Sequence, residues 1–137
     1  MSPDAPRLVE TGGWFEKVAD DLYSAQVGLA ADPPALGDVL FHCQQAVEKA
    51  LKGFLTWHDR PFRKTHDLRE LREQCLEIDG TLVLALHPIL GLTDFAWAFR
   101  YPGEPLRPKR KEAEEGLALA RQVVEAILSR LPTEVRP

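Results

Sequence analysis

Apolar residues recur along this chain at helical spacing, and nowhere do they alternate as a half-buried strand requires. The phase is clearest over 35–57, where Leu40, Cys43, Val47, Ala50, Leu51 and Phe54 fall on one side of a helix turning about 100° per residue. Upstream, Trp14, Val18, Leu22, Ala25 and Leu29 predict a helix over 13–30, which Ala31-Asp32-Pro33-Pro34 breaks. Residues 1–12 carry Pro3, Pro6 and Gly12 without a period and read as a loose arm. A third helix starts at Asp67, an N-cap whose capping-box partner is Glu70; Leu68, Leu71 and Cys75 form its core face and Asp79-Gly80 ends it. The stretch 81–100 is apolar nearly all round, with Pro88 either kinking a fourth helix or marking its first turn. Such a helix belongs at the centre of a bundle or in a subunit interface. After the stop at Tyr101-Pro102-Gly103, a fifth helix over 108–131 turns Ala113, Leu117, Ala120, Val124, Ile127 and Leu128 inward. The expected fold is all-α, an up-down antiparallel bundle of about five helices over 13–132, with 133–137 as a tail.

At 137 residues and 45% apolar, the chain suits one domain with one core, a size at which association adds stability. The net charge of −4 gives no global field to recruit nucleic acid, so any such contact needs a local patch. Cys43 and Cys75 lack metal or redox spacing and read as small, reduced, buried apolar residues of a cytoplasmic protein. His42, His58 and His87 form no metal-ligating pattern, so neither metal nor cofactor is expected. No apolar run is long enough to span a membrane. Asn is absent, a composition with a thermophile-like bias.

Chemistry enters on the second helix. Opposite its apolar side, Gln45, Glu48, Lys49 and Lys52 share one narrow arc, with His42 beside it. The arc reads either as a solvated face carrying an i,i+4 Glu48–Lys52 pair or as a groove for a phosphate-bearing ligand or a partner. In the groove reading Lys52→Glu weakens ligand or partner binding without lowering the melting temperature much, whereas a large loss of stability makes the arc structural. Arg100 suits the end of an apolar helix, or faces a phosphate with Tyr101 stacking beside it. Arg60 and His66 flank a basic loop that also holds Arg63 and Lys64. His66 alternatively closes the turn into the third helix or bonds across to the second. Asp20-Asp21 reads as solvated, and Trp57 and Phe62 as local packing or as base-stacking surfaces.

FHCQQAVEKALKGFL (41–55), KTHDLREL (64–71) and FRYPGE (99–104) occur in that order, and together they resemble the HEPN domain family over about 14–131. The resemblance implies a small helical domain, a homodimer, and association with a nucleotide or a small nucleotidyltransferase-like protein, in a toxin–antitoxin-like pair. It directs attention to Gln45, Glu48, Lys49, Lys52, His66, Arg100 and Tyr101 as binding residues. Ribonuclease members of the family separate an Arg from a following His by four to six residues, a spacing that Arg60 and His66, with five residues between them, also meet and that eleven Arg and four His also produce by chance. After Arg100 those positions hold Pro105, Leu106 and Arg107, so the motif is missing there. A non-catalytic binding module is the first expectation, and a metal-independent ribonuclease toxin acting on RNA through Arg60 and His66 the alternative.

Overall fold

The computed structural model describes residues 4–92 and 107–137. Among the described residues, α1 (Ala5–Ala30), α2 (Leu36–Trp57), α3 (Leu68–Ile78), the single turn α4 (Val83–Leu86) and α5 (Arg110–Leu128) follow in order. Short 3-10 turns sit at Gly80–Leu82 and Thr133–Val135, and no strand occurs among the described residues. The protein is an all-α helical bundle.

α1 and α2 form an antiparallel hairpin, and the pairing order along it is direct. Arg7 donates to the Trp57 carbonyl at 2.9 Å, Phe15 lies on Gly53, Asp21 meets Lys49, and Gly28 lies against Val39. Gly53 has a packing reason. A Cβ there would stand 2.6 Å from Phe15 Cε2, so the bare backbone lets the fully buried Phe15 ring close on α2. α2 is the centre of the bundle: every residue from 39 to 57 is buried or half-buried. α1, α3 and α5 pack around it, with Leu40, Leu51, Phe54, Leu71, Cys75, Ala120 and Ile127 in one continuous core.

Three expectations are corrected. Residues 5–12 are not an arm but the first two turns of α1; Pro6 sits at the helix start, where its missing N–H is harmless, and Thr11 is fully buried. Asp67 does cap α3, accepting from the Arg69 N–H at 3.0 Å, but Glu70 does not complete a box. Its carboxylate instead receives Arg63 Nε at 2.8 Å. The fourth helix is not continuous from 81: α4 ends at Leu86, 87–88 form a turn around Pro88, and 89–92 are helical again. Leu84 there is 85% exposed, so this part is not buried on every side. Arg72 ties α3 to the Leu86 carbonyl at 3.1 Å, and Arg130 ties the end of α5 to Thr81 and Asp79. The remainder of that expected helix, with Arg100 and Tyr101, lies outside the described residues.

Candidate functional site

The polar arc of α2 is largely enclosed: Glu48 and Lys52 are buried, and His42, Gln45 and Lys49 are half-buried. α1 and the 58–67 loop cover it, so its charges are paired inside the fold, in two clusters. In the first, Asp21 of α1 is buried; its Oδ2 accepts from Lys49 Nζ at 2.6 Å and its Oδ1 lies 2.9 Å from His42 Nδ1. The expectation of a solvated Asp20-Asp21 pair holds for Asp20 alone. The signal was present, because Asp21 follows Val18 by three residues and precedes Ala25 by four, on the inward stripe.

The second cluster is deeper. Glu48 is 2% exposed and Lys52 7%, and Lys52 Nζ donates to Glu48 Oε2 at 3.1 Å. His66 Nδ1 reaches the same carboxylate from the loop, 3.0 Å from Oε1 and 3.2 Å from Oε2. An ionised carboxylate only accepts, so Nδ1 carries the hydrogen in this contact. The His66 side chain is 71% exposed. The site therefore offers solvent one imidazole held by a buried acid, the geometry that orients general bases and ligand-binding histidines alike. Buried Lys52 removes the premise that Lys52→Glu would spare stability, since the new carboxylate would face Glu48 with no water between them.

Gln45 Nε2 donates to Gln44 Oε1 at 2.8 Å. Gln44 is fully buried, and its Nε2 has no hydrogen-bond partner among the described residues. Arg60 and His66 are not joined to each other through a shared group. Arg60 pairs with Glu77 on α3, while His66 bonds to Glu48 on α2.

Aromatic rings complete the surroundings. Lys52 Nζ lies 5.8 Å from the Trp14 ring centre and 6.0 Å from that of Phe62, and those rings meet edge to face at 6.0 Å. Arg7 covers Trp57 at 4.7 Å. Beyond the Trp14–Phe62 pair opens a groove of about 480 Å³, walled by Glu10 and Trp14 of α1, Thr56 of α2 and residues 59–62. Sequence reasoning named neither Glu10 nor Asp59, which no periodicity or motif distinguishes. The described residues contain no cluster suited to a metal ion, and none of their helices is long and apolar enough to cross a membrane.

With the hairpin, the enclosed α2 run and the His66 link in place, comparison with known proteins is informative. The HEPN domain model matches residues 12–131, and the chain belongs to the HEPN domain family. No curated protein and no solved structure matches the chain.

Proposed function

We propose that the chain is a HEPN binding module without nuclease activity of its own. It acts as a homodimer, with a small nucleotidyltransferase-like protein, or the nucleotide such a protein handles, as its partner in a toxin–antitoxin-like pair. One observation carries the reading. The arginine–histidine couple required for RNA transesterification is not assembled from Arg60 and His66, whose side chains are bound to Glu77 and Glu48 on different helices. Family membership supports the module as such. Recognition then falls to the accessible edge of the α2 clusters: His66, Gln45 and Lys49, with Glu48 and Lys52 holding them from within.

The ribonuclease reading has one observation in its favour, the exposed His66 ring oriented by buried Glu48. Expression of the chain alone separates the two. Normal growth with intact total RNA is expected for wild type, His66→Ala and Arg100→Ala, together with saturable binding of at least one ribonucleotide in equilibrium dialysis. Growth arrest with RNA cleavage, relieved by His66→Ala, would replace the binding module with a ribonuclease.

A further inference from the structure

The outward side of α1 carries a row of positions that the fold leaves uncovered. Val9, Gly12, Glu16, Ala19, Tyr23 and Gln26 recur at alternating steps of three and four residues. That is the period of a helix that packs lengthwise on another helix. Ala5 and Ala30 extend the row to both ends of α1. Val9 is 77% exposed and Tyr23 70%, and Val27 at the edge of the row is 50% exposed. The other large apolar side chains exposed among the described residues, Val83 and Leu84, share the single turn α4, too short to offer such a row.

Gly12 and Gly13 are a second, independent observation. Glycine weakens a helix interior relative to alanine. Nothing inside the fold requires it here, since a Cβ at either position would meet no atom within 4 Å. Gly53 differs, because Phe15 uses its bare backbone. Bare backbone on the outward side suits close approach by something outside the fold.

The row is complementary to itself when a second copy runs antiparallel to it. With a two-fold axis between Lys17 and Val18, Gly12 faces the partner's Tyr23, Glu16 the partner's Ala19, Val9 the partner's Gln26 and Ala5 the partner's Ala30. The exposed tyrosine ring thus lands on bare backbone, and the seam glutamate on the smallest side chain. The partner's Lys17 comes level midway between Glu16 and Asp20. All three charges are exposed, and none is held in an ion pair among the described residues. Shape and charge therefore select a second copy as the occupant. A seam of 26 residues is about 39 Å long, which places the pair among the smaller specific interfaces, with micromolar association.

We infer that the outer face of α1 is the contact surface between two copies of this chain, packed as an antiparallel two-fold helix pair. The inference rests on the homodimer reading and assigns that dimer its interface.

The test is sedimentation equilibrium of the full chain over a concentration series, with Gly12→Leu, Tyr23→Ala and the double variant. Within one molecule positions 12 and 23 lie about 16 Å apart along the helix, so coupling between them passes through the partner. Neither single change disturbs the monomer, because position 12 has open space and Tyr23 is mostly exposed; a thermal melt checks this. Wild type is expected to dimerise. Each single variant should associate roughly tenfold more weakly, Gly12→Leu by clashing with the ring and Tyr23→Ala by losing it. The double variant should recover most of the loss, because the introduced leucine fills the space the tyrosine left. A dimer that neither single variant weakens lies on another face, which overturns the inference and leaves the homodimer reading standing. A monomer at every concentration overturns both. Weakening in both single variants without recovery in the double overturns the antiparallel pairing.

Discussion

At the scale of single residues, burial decides what the charged positions do. Glu48 and Lys52 resemble any i,i+4 surface pair, worth about 0.2–0.5 kcal/mol. Enclosed as they are, removing one partner strands the other, at about 3–5 kcal/mol. Glu48→Leu, which leaves buried Lys52 without its carboxylate, is therefore expected to lose about 3 kcal/mol in urea unfolding, and Glu48→Leu/Lys52→Met to recover most of it, because an apolar pair leaves no stranded charge. Equal instability of the single and double variants would refute the buried-pair account. Asp59→Gly is expected to stabilise by about 1 kcal/mol, because glycine adopts the left-handed turn without a Cβ penalty; an unchanged urea midpoint would count against it. Sequence made the α2 arc legible as a set of residues but not its surroundings. Helical phase places Gln45, Glu48, Lys49 and Lys52 together, whereas what covers them depends on α1 and the 58–67 loop, which are distant in sequence. Asp21 was missed because its neighbour Asp20 is solvated, although its own phase points inward. The link from His66 to α2 was among the readings sequence allowed, since a polar residue just before a capped helix has few other places to reach.

At the scale of elements, legibility followed the strength of the punctuation. Helices α2 and α3 begin and end within about two residues of their expected bounds, since Pro-Pro, Asp67 and Asp79-Gly80 mark their ends, while α5 starts two residues later and ends three residues earlier than expected. α1 started earlier than expected because a proline counts as a breaker in the interior of a helix and as a starter in its first turn, and composition does not tell these apart. Close approach between elements was also invisible. Gly53 reads as a weak point in α2 by propensity, yet it is where α1 comes nearest. Gly53→Ala should therefore destabilise by about 1–3 kcal/mol through displacement of Phe15, despite a propensity gain of about 1 kcal/mol. A rise in thermal midpoint for that variant would show that Phe15 moves aside freely.

At the scale of the whole molecule, the groups that titrate differently in the fold set the expected pH range of stability. Burial, with nearby Arg7, holds His58 below its usual 6.5, so the folded state resists a proton that the unfolded chain accepts. Stability is complete above pH 6.5 and declines as pH falls through that value. Hydrogen bonds from Thr81 hold Asp79 below 3.8, and those from Arg136 hold Glu125 below 4.5, which adds further loss at lower pH in the same direction. On the alkaline side burial pushes the thiols of Cys43 and Cys75 from 9.0 up to about 12. The folded state keeps protons that the unfolded chain releases, so stability falls as pH rises above 9.0. Urea midpoints measured from pH 4 to 10 should trace a plateau between about 6.5 and 9, and a continued rise above pH 9 would contradict the assignment. The enclosure of α2 also bears on how relatedness is to be interpreted. The run that makes the chain recognisable, 41–55, is the bundle's axial helix, and most of its polar members are occupied in holding neighbouring helices and loops together. Inheritance of that run transmits an architecture, while the outer face of α1 remains comparatively free to diverge. Two proteins that share the run are expected to superpose closely and yet to differ in what they recognise.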